Sequence, residues 1–392
     1  MLPLPRAPHP RTVRTPFSHF DWLLFFSVMP LVAAGLATMN SFTGGEEVFF
    51  ERQLVALSLS VGVFLLAGLT DWRFIRRTGV LISIFFAVVL LLGTLLVTGT
   101  VVKGVQSWYS LYFFNFQPAE LAKLVLILIL AKYFSRRHIE IAHIRHILVS
   151  GVYTLILFLL VLLQPDFGSA IIIFLIWFGM VLLSGISKKH LLLVLFTGVL
   201  SFAFLSTFVF KEYQKERILS FVHPLADVRG AGYNAYQSTI AVGSGGLFGK
   251  GLGYGTQSRL KFLPEYQTDF VFAAFAEEWG FLGVLLLLVL FGILITRILV
   301  NALHGATNFE ILFGLGLAVY FMSHLTIHMG MNVGLLPVTG ITLPFVSYGG
   351  THLLIEFLGL GMLMGMRRYR RTAHREEIEQ NELHGVLTRS PQ

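Results

Sequence analysis

Long apolar runs recur ten times along this 392-residue chain, near 20–41, 52–70, 79–99, 118–134, 147–164, 169–186, 190–210, 269–297, 309–335 and 345–366. Each is close to, or somewhat beyond, the roughly 17–25 residues that cross about 30 Å of hydrocarbon as a helix. Only 13% of the residues are charged and 55% are hydrophobic, with a mean hydropathy of +0.75. Soluble domains carry about 25% charge. A water-soluble core of this length cannot bury so much apolar surface. The pattern therefore predicts an all-α integral membrane protein, a bundle of about ten transmembrane helices with one long extracytoplasmic loop. There is no cysteine, which excludes disulfides, thiolate metal sites and a cysteine nucleophile.

The net charge of +8 could indicate nucleic acid, but its placement argues otherwise. Ten spans put both termini on one side. The tails and connections on that side hold Arg6, Arg11, Arg14, Arg73, Arg76, Arg77, Lys132, Arg136, Arg137, Arg145, Lys188, Lys189, Arg297, Arg367, Arg368, Arg370, Arg371, Arg375 and Arg389. The positive-inside rule then places both termini in the cytoplasm. The expected organisation is a cytoplasmic tail over 1–19, a membrane domain over 20–366 and a second cytoplasmic tail over 367–392. The first run has no small-residue cleavage site after it and is expected to stay as an anchor. Residues 211–268 form the one long connection, on the outer side. It carries aromatics throughout, so it is expected to be ordered and folded back on the membrane.

Several segments could carry chemistry. GSGGLFGKGLGYGTQS, residues 243–258, has seven glycines in sixteen positions. It matches neither a P-loop nor a dinucleotide-binding turn. It is either a tight surface turn or a backbone cradle for an anion, and Arg217, Arg229, Lys250, Arg259 and Lys261 flank it as cations suited to a pyrophosphate. In FLPEYQTDFVFAAFAEEWG, residues 262–280, Thr268 or Asp269 can cap the helix that follows. Asp269 can equally be a general base at the membrane boundary. Glu277 and Glu278 lie deeper, where an unpaired charge costs about 2.5–3.5 kcal/mol at the helix centre. They must face the bundle or a polar cavity. Glu120 and Lys123, three apart in FQPAELAKL, form either a local salt bridge or part of a polar cavity that Arg52, Lys103, Trp108 and Asp166 share at the same level. His324 and His328 share a helix face, but without an HExxH motif they suit packing or an interhelical hydrogen bond better than zinc. Prolines and glycines at 331–350, Pro337, Gly349 and Gly350 among them, imply irregular backbone facing protein or water.

These residues together resemble the SEDS family of polytopic peptidoglycan polymerases (RodA, FtsW and SpoVE) over about residues 20–370. The matching stretches are FQPAELAK, QPDFGSA, GAGYNAYQS, GSGGLFGKGLGYGTQS, LPEYQTDFVFAAFAEEWG, GLLPVTG and LPFVSYGG. GTQSRLKFLPE and PVTG are similar to the elongation branch, RodA, while GMN and TLPF lean towards the division branch, FtsW. The resemblance implies a bacterial inner-membrane glycosyltransferase that polymerises lipid II into β-1,4 glycan with inversion, its active site on the outer face, in cell-wall elongation and cell-shape control. The catalytic aspartate of the family falls on Asp269. Glu120, Lys123 and Arg52 carry over as cavity residues. Arg217, Lys250, Arg259 and Lys261 are candidates for holding phosphate, and Gln257 and Ser258 for binding sugar or shaping the loop. No tightly bound cofactor is implied; a divalent cation, Mg or Mn, fits the pyrophosphate. The implied partners are lipid II, the undecaprenyl-pyrophosphate-linked glycan, other elongation-machinery membrane proteins and a class B penicillin-binding protein, whose single helix would pack on the spans at 269–297 and 309–335.

Three positions depart from the family pattern: Ser107 where an arginine is usual before Trp108, His328 where an asparagine is usual, and His352 where a small residue follows SYGG. The alternatives are a lipid II flippase, a scaffold that only recruits a penicillin-binding protein, and the same polymerase acting in division. Against the flippase, the unusual charges of the sequence gather towards the outer leaflet, with little matching chemistry near the inner one.

Overall fold

The computed structural model describes residues 20–41, 47–102, 105–110, 115–136, 144–208, 212–222, 232–260, 262–263 and 265–367. The helices are α1 (Trp22–Ser41), α2 (Glu47–Leu69), α3 (Thr78–Thr98), α4 (Pro118–Ser135), α5 (Ile144–Leu163), α6 (Phe167–Leu183), α7 (Lys188–Phe208), α8 (Glu212–Val222), α9 (Tyr233–Ser244), α10 (Thr256–Arg259), α11 (Val271–Leu303), α12 (Asn308–Asn332) and α13 over 350–367. Each of the ten apolar runs falls on one of them. Seven of these helices, α1, α2, α3, α5, α7, α11 and α12, are long and apolar enough to cross a membrane. The other three are short or charged: α6 has 17 residues, α4 includes Glu120, Lys123 and Lys132, and the described part of α13 includes His352, Glu356 and Arg367.

The boundaries follow from local chemistry. Asp166 caps α6, its Oδ1 accepting from Ser169 N at 2.9 Å. Glu310 anchors the start of α12, its Oε2 accepting from Ala306 N and Thr307 N at 2.6 and 3.1 Å. α12 stops at Asn332 because Gly334 takes a left-handed turn, φ 76°. Residues 343–349 stay irregular because Phe345 is itself left-handed, φ 63°. A three-stranded antiparallel sheet unforeseen from the sequence, β1 (Thr100–Val102), β2 (Val105–Ser110) and β3 (Asn115–Phe116), joins α3 to α4.

α4 and α12 form the centre. α4 buries all but a few of its residues and packs on α3, α6 and α12, while α12 also meets α11. α7 is the most peripheral, with exposed Leu192, Phe196, Val199, Phe204 and Phe208. Within the long connection, α9 packs on α11 and α12, so its described part is folded against the bundle.

The other end of the bundle has buried polar chemistry of its own, contrary to the sequence expectation. Asp21 Oδ2 accepts from Arg297 Nη2 at 2.5 Å and Asn301 Nδ2 at 2.7 Å, and Arg367 Nη1 donates to Asn301 Oδ1 at 2.8 Å. Arg76 pairs with Glu310 at 3.5 Å. Hydropathy cannot reveal this cluster, because its members are single residues separated by up to 346 positions along the chain.

Candidate active site

Asp269 is half-buried in the turn at 265–270 that leads into α11. The N-cap position of α11 falls on Phe270, not on Thr268 or Asp269, because the turn closes through Phe270 N to Glu265 O at 3.2 Å. Three neighbours fix this turn. Asn332, fully buried at the end of α12, donates through Nδ2 to Asp269 O at 3.1 Å and accepts at Oδ1 from Ala273 N at 3.2 Å and from Ser238 Oγ of α9 at 3.3 Å. Ser347 Oγ donates to Thr268 O at 2.8 Å, and Tyr348 N to Gln267 O at 2.8 Å. Gln53 of α2 in turn holds Gly349 N and Ser347 O. The carboxylate faces Gly340, φ 73°, where a Cβ would stand 3.4 Å from Asp269 Oδ2. Arg217 reaches the same stretch, its Nη1 donating to Val338 O at 3.4 Å.

Glu277 organises the glycine-rich segment. Its side chain is fully buried, and Oε1 accepts from Lys250 Nζ at 2.7 Å, Thr256 Oγ1 at 3.1 Å and Gln257 N at 3.1 Å. Oε2 takes Ser258 N at 3.4 Å. Glu278 Oε1 accepts from Gly253 N at 2.7 Å. The backbone joins in, with Lys250 N donating to Glu277 O, Gly251 N to Glu278 O, and Phe281 N back to Gly246 O. This exchange is possible because α11 breaks at Gly280, φ 65°. A Cβ on Gly280 would lie 2.7 Å from Phe248 C, and one on Gly249 would lie 2.6 Å from Trp279 C. These glycines therefore serve close backbone approach, and the Lys250 ammonium is held by Glu277 and Thr256.

A second cluster is more deeply buried. Lys123 Nζ meets Glu120 Oε1 at 2.7 Å and His324 Nε2 at 3.4 Å. His352 Nδ1 meets Glu120 Oε2 at 2.9 Å, and its Nε2 lies 2.9 Å from Glu356 Oε1. Tyr320 OH approaches Glu120 Oε2 at 3.5 Å. His324 Nδ1 and His328 Nδ1 contact Thr342 O and Ile341 O at 3.2 and 2.6 Å. The two histidines of α12 thus bind backbone carbonyls across the bundle.

The remaining expected site residues are dispersed. Asp166, besides its cap, accepts from Gln117 Nε2 at 2.9 Å. Trp108 is half-buried on β2, opposite Thr100. Arg52 and Arg259 are exposed on α2 and α10, and Pro337 is half-buried. Ser258 is buried; the Gln257 side-chain oxygen is buried without a hydrogen bond. Gly349 donates to Gln53, and Gly350 opens α13. Lys103, Arg229 and Lys261 lie outside the described residues. Asn332, Gln53, Ser347 and Glu356 were missed by sequence reasoning. Their polar side chains at membrane depth were the available signal.

Bundled apolar helices around buried, paired ionisable groups, with the half-exposed Asp269 carboxylate fixed at the entrance to α11, define a multi-pass membrane protein with a polar interior. Residues 14–372 match the FtsW/RodA/SpoVE family, described as cell cycle protein. The chain is 33% identical over 353 residues to the peptidoglycan glycosyltransferase MrdB of Escherichia coli K12, covering 90% of this chain and 95% of that one. It is 35% identical over 364 residues to a probable peptidoglycan glycosyltransferase FtsW of Tolumonas auensis, covering 90% and 92%. Among solved structures it is similar to a chain of a peptidoglycan synthase complex that coordinates polymerization and crosslinking, with a TM-score of 0.76, 33% identity and coverage of 90% and 98%. It is also similar to the rod shape determining protein RodA of Thermus thermophilus, with a TM-score of 0.68, 32% identity and coverage of 91% and 99%. The chain belongs to the FtsW/RodA/SpoVE family.

Proposed function

We propose that this chain is a peptidoglycan glycosyltransferase that polymerises lipid II into β-1,4 glycan during cell-wall elongation, with Asp269 as its base. Near-full-length similarity to relatives named for that activity supports the reaction class. The observation that carries the assignment of Asp269 is its setting: a half-exposed carboxylate beside Gly340 whose turn is fixed by Asn332 and Ser347. Asp269 takes the proton of the acceptor sugar 4-hydroxyl as its oxygen attacks the anomeric carbon of the growing strand. The bond to the lipid-linked pyrophosphate breaks on the opposite side, which inverts the centre. One base suffices, because cations stabilise the leaving pyrophosphate in place of a general acid. Arg217, Arg259 and Lys261 are the candidates for that role, while Lys250 is paired with Glu277. A divalent cation, Mg or Mn, belongs to this reading as the counter-ion of the pyrophosphate. The described residues hold no group of three or more His, Cys, Asp or Glu arranged to cage one.

The active site then faces outwards and both termini lie in the cytoplasm, as the distribution of Arg and Lys supports. A class B penicillin-binding protein is the expected partner. The surface offered to its membrane helix is the distal part of α11, where Phe281, Leu285, Leu286, Val289 and Ile293 are exposed, whereas α12 is enclosed by α4, α6 and α11. The test is glycan-strand formation from purified lipid II by the chain together with its cognate penicillin-binding protein. Glycan strands with β-1,4 linkage are expected. Transbilayer movement of lipid II in vesicles without any polymer would replace the enzyme with a transporter.

A further inference from the structure

The loop over 340–349 lies between the Asp269 turn and the buried charged cluster, and it is tied to both. Towards the turn, Gly340 faces the Asp269 carboxylate and Ser347 and Tyr348 bond Thr268 O and Gln267 O. Towards the cluster, His328 and His324 bond Ile341 O and Thr342 O, and Glu356 Oε2 accepts from Phe345 N at 3.0 Å, holding that residue in its left-handed conformation. The charge state of the cluster follows from contacts. His324 Nδ1–H donates to Thr342 O and Nε2 accepts from the Lys123 ammonium, so this ring is neutral. His328 Nδ1–H donates to Ile341 O. His352 differs: each ring nitrogen lies 2.9 Å from a carboxylate oxygen, Nδ1 in a hydrogen bond with Glu120 and Nε2 in an ion pair with Glu356. A ring with hydrogens on both nitrogens places a cation between the two carboxylates. The cluster then contains two anions, Glu120 and Glu356, and two cations, Lys123 and His352. It is neutral as a whole, which a buried set of charges requires.

We propose that His352 acts as a doubly protonated bridge between Glu120 of α4 and Glu356 of α13, a positioning residue that fixes Glu356, the 340–349 loop and thereby the turn bearing Asp269. This rests on the polymerase reading above.

Charge balance makes the test specific. His352→Gln leaves the cluster one negative charge in excess, Glu356→Gln leaves it one positive, and the double variant restores neutrality. Glycan-strand formation is measured for wild type, both single variants, the double variant and Asp269→Asn, with a thermal midpoint for each. The singles are expected to lose at least about ten-fold in turnover at an unchanged KM for lipid II, and the double to recover to within about three-fold of wild type. Wild-type turnover in His352→Gln, or losses that multiply in the double, would overturn the proposal. Full activity in Asp269→Asn would remove the base assignment and leave the four-chain comparison to decide the bridge. If wild type forms no polymer, the polymerase reading fails and the midpoints decide: restoration in the double supports the bridge, and additive losses overturn it.

Discussion

Asp269 is positioned by residues that share no motif with it. Asn332 lies 63 positions along the chain and spends its amide on three backbone groups and a hydroxyl. Replacing it with alanine removes the acceptor of Ala273 N, which is buried, and the amide that holds Asp269 O, at about 1–3 kcal/mol for the buried group. Asn332→Ala is expected to lower the thermal midpoint and to reduce turnover at least ten-fold, measured by unfolding in detergent and by glycan-strand formation. Unchanged turnover would show that the turn is held elsewhere. Glu277 behaves differently, as a buried anion answered by Lys250 and loop amides. Glu277→Gln is expected to destabilise the chain by about 1–3 kcal/mol, because the buried loop amides lose their charged acceptor while the partly exposed Lys250 can turn to water. Limited proteolysis of residues 243–258 should detect the freed loop. The sequence picked out Asp269, Glu120, Lys123, Glu277 and Glu278 because charge is conspicuous among apolar residues. It could not pair Glu120 with His352, 232 positions away, since nothing in a linear pattern encodes that approach.

At the scale of elements, each of the ten apolar runs falls on a helix among the described residues, seven of them long and apolar enough to cross a membrane, since a run that must satisfy its own backbone in lipid has few other structures open to it. It missed the break in α11. The run resumes apolar immediately after Gly280, and the positive φ and the approach of 246–251 show that two helical pieces meet a loop there. The glycine-rich segment was open between a turn and an anion cradle. Glu278 and Glu277 of α11 accept from its Gly253 and Gln257 amides. Gly280→Ala places a Cβ onto the 247–249 backbone at a φ that L residues adopt at a cost of about 1–3 kcal/mol before any clash. A loss of at least that size in unfolding free energy is expected, against little change for Gly292→Ala on the same helix, where a Cβ meets nothing within 4 Å. Equal losses at both positions would refute the account of the break.

For the whole molecule, sidedness rests on charge placement, and the absence of cysteine makes it directly measurable. A single cysteine replacing exposed Phe248 is expected to react with an impermeant maleimide in intact cells, and one replacing exposed Arg73 only after permeabilisation. The opposite pattern would invert the topology and move Asp269 to the cytoplasmic side. Buried polar groups occupy both ends of the bundle, but Asp21, Arg297, Asn301 and Arg367 satisfy one another. They act as a structural clasp between α1, α11 and α13. The half-exposed carboxylate of Asp269 is at the other end. The central claim is that this carboxylate removes the proton of the acceptor, and one measurement tests it most directly: glycan-strand formation by wild type and Asp269→Asn at matched thermal midpoints. Asparagine keeps the size and hydrogen-bonding reach of the side chain and removes the base. Polymer from wild type and none from the folded Asn variant is the predicted result; equal polymer from both would contradict it.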